Sequence, residues 1–98
     1  MTIQTDPERN ETKYLHKFAD FTDKRVLEIG CGEGRLTWQY AYTPKFTIGI
    51  DPDHDALRVA TIDRASDLNN KVLFSQAESE YLPFHKETFD MAVLAWSF

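Results

Sequence analysis

The spacing of apolar residues changes along the chain from helical repeats to short continuous runs, and each change predicts an element. Tyr14, Leu15, Phe18 and Phe21 recur three and four apart behind Asp6-Pro7, a cap residue followed by a proline suited to a first helical turn. An amphipathic helix is predicted there, over residues 7–20. The run VLEIG, ending in glycine, predicts a buried strand feeding a helix that carries Leu36, Tyr40 and Ala41 and stops before Pro44. FTIGID repeats the pattern as a second strand, and Asp53 can cap a helix to about Ser66, with Leu57, Ala60 and Ile62 available for burial. KVLFSQ predicts a third strand, AESEYLPFHKET a loop with one helical turn, and FDMAVLAW a fourth strand whose apolar run asks for cover on both faces. The polar start, residues 2–6, reads as a linker. Strands alternating with helical segments imply right-handed crossovers and a mostly parallel sheet, hence an α/β fold.

Composition narrows the function without changing that fold. With 98 residues, 42% of them hydrophobic, the chain has room for one small domain. Sixteen acidic against eleven basic residues, with no lysine or arginine cluster, leave no footprint for duplex nucleic acid, and no nucleic-acid partner is expected. No apolar run approaches the roughly 18 residues of a membrane helix, and the start lacks the apolar core of a signal peptide. One cysteine cannot form an internal disulfide. A cytoplasmic domain without a membrane partner is the expectation.

The candidate chemistry sits in RVLEIGCGEGRLT, residues 25–37. Gly30, Gly32 and Gly34 make a turn between a buried strand and a helix start, where backbone N–H groups can face outward and a ligand can approach without meeting Cβ atoms. Asp51, at the end of the next strand, lies 21 positions after Gly30, close to the spacing of a carboxylate that takes ribose hydroxyls. A dinucleotide fingerprint would need a further glycine where Arg35 or Thr37 stands, so NAD is disfavoured and another adenosine ligand favoured.

The segment E-x-G-C-G-E-G, with Glu28 inside the strand, resembles the first motif of class I S-adenosylmethionine-dependent methyltransferases. The likeness continues through Asp51 in IGIDPD, QAESEYLPF and the Phe-Asp pair opening FDMAVLAWSF, in the family's order over residues 25–98. It implies a Rossmann-like sheet with strand order 3-2-1-4, counting the predicted strands along the chain, and the family's remaining strands beyond Phe98. Residues 1–24 would then be an N-terminal helical segment and residues 25–98 the donor-binding part of the domain. The donor-contacting set implied by the resemblance is Glu28, Gly30, Cys31, Gly32, Gly34, Asp51, Pro52, Glu78 and Ser79. In it Asp51 takes the ribose, Ile50 and Pro52 flank ribose or adenine, Glu78 faces the adenine amino group, and the backbone of Ser79 lies beside the ring. S-adenosylmethionine is the implied cofactor, and the reaction is methyl transfer to an acceptor the sequence does not name. The end AWSF lacks the Asn-Pro-Pro-Tyr pattern associated with DNA-base methylation, so a small molecule leads as acceptor.

Other features are assigned to structure. Glu28 in an apolar strand needs buried partners, which loop N–H groups or the donor's ammonium group can supply, and a functional or loop-bracing role follows. The Cys31 thiol has no base partner and is read as packing between glycines. His16, His54 and His85 are widely separated and lack zinc-like spacing, so no metal is predicted. Trp38, Trp96 and Phe98 are assigned to the core, and Tyr14 either packs its helix or closes over the donor. Two rivals stand beside the enzyme: a non-catalytic adenosine-binding module, and a shortened domain that acts by association. Alone, the chain is expected not to methylate and to be marginally stable or self-associated, through the apolar faces of VLEIG and MAVLAW and the open edge of the fourth strand.

Overall fold

The computed structural model describes residues 2–5, 20–78 and 86–95. All but the last residue of the helix expected over residues 7–20 lies outside these, as do Tyr14, His16, Ser79, His85, Trp96 and Phe98. The described elements are β1 (Thr2–Thr5), β2 (Arg25–Ile29), α1 (Thr37–Tyr40), β3 (Phe46–Asp51), α2 (His54–Asp63), β4 (Val72–Gln76) and β5 (Met91–Leu94), with 3-10 turns at Ser66–Leu68 and Lys86–Thr88. All pairings are parallel and the sheet runs β1-β5-β2-β3-β4. Read from β4, this is the expected 3-2-1-4 order of a Rossmann-like sheet, with one strand added.

The added strand corrects two expectations. Residues 2–5 were expected as linker within a helical segment, yet β1 pairs with β5 from Thr2 opposite Met91 to Thr5 opposite Leu94. Three of its four residues are β-branched, which favours strand, and a row of free N–H and C=O groups on β5 supplies the partner that a four-residue polar segment cannot advertise by itself. The fourth predicted strand therefore has no open edge through which to self-associate. Its faces and those of β2 are also closed, because Val26, Leu27 and Glu28 are fully buried, as are Met91, Ala92 and Val93 within a few per cent.

Alternation along each strand divides the core in two. On one face Val26, Met91 and Val93 pack with Phe21, Leu36 and Tyr40, and Val72 continues the layer beneath Ala41 and Leu68. On the other face Leu27, Ile50 and Ala92 pack with Phe89, flanked by partly buried Ile29, Phe46 and Ile48. Of β2 to β5, the edge strand β4 is the least buried, and its Leu73 is 50% exposed.

The helices are shorter than their apolar repeats suggest. α1 ends at Tyr40 and turns follow toward Thr43, whose successor Pro44 disfavours helical backbone. α2 starts where expected: Asp53 Oδ1 accepts from Asp55 N at 3.0 Å and from Ala56 N at 3.2 Å. It stops at Asp63 rather than Ser66 because Arg64 turns extended, donating from Nε to Asn69 Oδ1 at 3.0 Å and from Nη1 to the Val72 carbonyl at 2.8 Å. Leu57 and Ala60 face the sheet, but Ile62, two positions past Ala60 and so on the opposite side, is 73% exposed.

Candidate functional site

Three neighbouring strands deliver the predicted residues to one end of the sheet. The loop Gly30–Gly34 leaves β2, Asp51 ends β3, and Glu78 lies two residues past β4. This is the carboxyl-end crevice where open α/β sheets bind ligands. Backbone and side-chain bonds tie the three ends together. The Ile50 carbonyl accepts from Gly30 N at 2.9 Å and Cys31 N at 3.1 Å, and the Asp51 carbonyl accepts from Ala77 N at 3.2 Å. Gln76 Nε2 donates to the Pro52 carbonyl at 3.1 Å.

Asp51 bridges the first two ends. Its Oδ2 accepts from Gly32 N at 2.9 Å and its Oδ1 from Asp53 N at 2.8 Å, so one carboxylate fixes both the middle of the glycine loop and the turn into α2. These bonds use two of the roughly four acceptor positions of a carboxylate and leave capacity for hydroxyl donors.

All three loop glycines have positive φ. Two of them need glycine for different reasons. At Gly34 (φ +90) a Cβ would stand 2.8 Å from the indole of Trp38, which packs edge-on against Phe74, so packing excludes a side chain. At Gly32 (φ +55) a Cβ would meet nothing within 4 Å. Gly32 leaves open space above the backbone, a cradle that a side chain would fill and that none of the described residues claims.

Four of the five loop amides turn inward rather than outward as expected. Gly30 and Cys31 N–H go to Ile50, Gly32 N–H to Asp51, and Gly34 N–H to the Cys31 carbonyl at 3.0 Å. α1 is a single turn and adds little dipole. A pyrophosphate requires such donors, whereas an adenosine ligand without phosphate requires only close approach and a ribose acceptor. The geometry fits S-adenosylmethionine better than NAD.

Several predicted residues stand away from the ligand side. Glu28 is fully buried behind the loop, accepting from Thr37 Oγ1 at 2.9 Å and from the Tyr40 hydroxyl. Burial, and then the charge of Glu28, push the Tyr40 hydroxyl far above the usual phenol range, so it stays a donor. Cys31 turns inward onto Gly49, where a Cβ would lie 2.8 Å from its sulfur. Burial and the charges of Glu28 and Asp51 raise its thiol well above the ordinary range, which removes it as a nucleophile. Ile50, expected beside the ligand, is 1% exposed and belongs to the core. Pro52 and Glu78 are exposed at the strand ends. Trp38 is half-buried against Phe74 and His54 is exposed at the start of α2, while Ser79 lies outside the described residues. The hydroxyls of Thr37 and Tyr40 had no sequence signal, since a threonine and a tyrosine in an apolar helical stretch read as filler. Among the described residues no three His, Cys, Asp or Glu side chains gather as a metal site, and no helix is long and apolar enough to cross a membrane.

A groove of about 400 Å³ between α2 and β4 is lined by His54, Leu57, Arg58, Ile62 and Phe74 among others. It lacks the bridging carboxylate and the side-chain-free backbone, so the site is placed at the glycine loop.

Comparison with known proteins gives this arrangement a class. Residues 26–98 match the family described as a methyltransferase domain. A probable S-adenosylmethionine-dependent methyltransferase of Saccharomyces cerevisiae, CRG1, is 35% identical over 85 residues, covering 83% of this chain and 28% of the relative. The ubiquinone/menaquinone biosynthesis C-methyltransferase UbiE of Wigglesworthia glossinidia brevipalpis is 28% identical over 80 residues, covering 78% and 32%. The crystal structure of YcgJ from Bacillus subtilis superposes with a TM-score of 0.79 at 26% identity, covering 89% of this chain and 38% of that one. The chain belongs to the class I S-adenosylmethionine-dependent methyltransferase family, whose co-substrate is S-adenosylmethionine. It spans about a third of the length of these relatives.

Proposed function

We propose that the domain holds S-adenosylmethionine across the carboxyl ends of β2, β3 and β4 for methyl transfer to a small organic acceptor. In this reading Glu78 and Pro52 take the adenine end beyond β4 and β3, Asp51 takes the ribose, and the glycine loop receives the amino-acid end. The observation that carries this is the carboxylate of Asp51 bonded to Gly32 N at 2.9 Å beside a glycine whose missing Cβ leaves open space. That pairing joins an acceptor for ribose hydroxyls to a surface a ligand can touch directly.

Bound donor supplies an electrophilic sulfonium methyl, which passes to the acceptor's nucleophile while sulfur keeps the bonding electron pair. The chain's own task is orientation, which can supply about 7–11 kcal/mol of a barrier without an acid, base or metal. A small acceptor is supported by the quinone-biosynthesis name of the UbiE relative and by the absence of basic clusters from the sequence.

Calorimetry of the 98-residue chain with S-adenosylmethionine, S-adenosylhomocysteine and NAD tests the site. Binding of the first two without NAD is the expected result. Tighter binding of NAD, or no binding by any of the three, overturns it.

A further inference from the structure

Given the donor site proposed above, on which this step depends, we infer that Thr37 and Tyr40 are positioning residues. Acting through Glu28, they clamp the two ends of the glycine loop and set the surface that receives the donor's amino-acid end. Glu28 lies in β2 shortly before the loop and Thr37 opens α1 shortly after it, so the two bracket the whole of Gly30–Gly34. Thr37 Oγ1 donates to Glu28 Oε2 at 2.9 Å, and the Tyr40 hydroxyl donates to Oε1. All three side chains are buried, Glu28 and Thr37 completely. Hydrogen bonds to a carboxylate in such surroundings are stronger than neutral ones, and water does not compete for them.

The far end of the loop needs this anchor. α1 has four residues, far fewer than a helix requires to hold itself, and Leu36 at its N-cap provides no side-chain cap. Its direction therefore comes from tertiary contacts. Tyr40 is located by its ring, stacked on Phe21 with centroids 4.5 Å apart and planes 9° from parallel. Trp38 closes against Gly34 from the same turn. Because Glu28 is fully buried, its carboxylate acts through the backbone on either side of it rather than by touching a ligand. Asp51 also touches the loop through Gly32 N, but its second bond, from Asp53 N at 2.8 Å, and the position of Glu78 past β4 lie outside the clamp, so loosening it disturbs the amino-acid end more than the ribose and base contacts.

The test is calorimetry of the wild-type chain and of Thr37→Val, Thr37→Ser and Tyr40→Phe. The ligands are S-adenosylhomocysteine and 5′-methylthioadenosine, which shares the base, ribose and sulfur but lacks the amino-acid end. Thr37→Val and Tyr40→Phe are expected to weaken S-adenosylhomocysteine about tenfold, as loss of one hydrogen bond to a charged group does, while 5′-methylthioadenosine changes by less than about twofold. Thr37→Ser, which keeps the hydroxyl, restores wild-type affinity. If both ligands weaken together, or if Thr37→Val and Thr37→Ser bind S-adenosylhomocysteine like wild type, the clamp is refuted while the donor site stands. If wild type binds neither ligand, the donor site falls and the clamp with it. Should Tyr40→Phe fail to fold, the near-isosteric valine and serine replacements at Thr37 decide the question.

Discussion

Asp51 spends its carboxylate on two backbone amides and still has acceptor capacity, so under the proposed donor site it should be the side chain on which donor affinity depends most. Asp51→Ala removes the ribose acceptor and also frees the loop at Gly32 and the turn at Asp53. A hydrogen bond to a charged group is worth about 1.5–3 kcal/mol, so S-adenosylhomocysteine should bind roughly ten- to a hundredfold more weakly. Glu78 is exposed, and Glu78→Ala should cost less. Calorimetry of the two variants checks the order, and equal affinities for wild type and Asp51→Ala would remove the ribose assignment. The glycines separate binding from stability in the same way. A valine at Gly32 meets open space, so the protein should stay folded, at a cost of about 1–3 kcal/mol for the left-handed backbone, and lose the donor. Gly34→Ala instead drives a Cβ into Trp38 and should lower the melting temperature through packing. A folded Gly32→Val protein with unchanged affinity would reduce the loop to a turn.

At the scale of elements, the Phe-Asp pair that opens the fourth predicted strand turns out to fasten two strands at their starts. Asp90 accepts from Arg25 N at 2.9 Å, Nε at 3.0 Å and Nη2 at 2.9 Å, while Asp90 N donates to the Arg25 carbonyl at 2.8 Å. The side-chain and backbone bonds from Arg25 hold the Asp90 carboxyl well below the ordinary carboxylate range. A carboxyl with a lowered folded-state pKa contributes stability above its unfolded value, near pH 4, and loses that contribution as pH falls toward the folded value. Thermal melts of wild type and Asp90→Asn should therefore differ at neutral pH and converge below about pH 4. A gap that stays constant through acid pH would show that the charge contributes nothing. The strands were legible because buried parallel strands read as short, mostly apolar runs, while their order came from the family resemblance. The helix ends were not, since Arg64 leaves α2 for bonds to Asn69 and Val72 that no local pattern encodes.

For the whole molecule, the sequence was legible where glycines and carboxylates carry chemistry and silent where the chain closes on itself. Gly30, Gly32, Gly34 and Asp51 come together because their spacing follows from the strand-turn-helix repeat. The Glu28 network escaped notice because its partners, Thr37 and Tyr40, become recognisable only once the helix is docked. β1 escaped because four mostly polar residues acquire a strand only from the edge they join. That edge belongs to β5, so a segment at the very start of the chain takes its hydrogen bonds from one near its end. During synthesis, residues 2–5 emerge before β2, β3 and β4, and their partner emerges after all three. The sheet cannot grow outward in the order in which it is written: β2, β3 and β4 can assemble before β5 is made, and β1, made before any of them, finds its place only after β5 does.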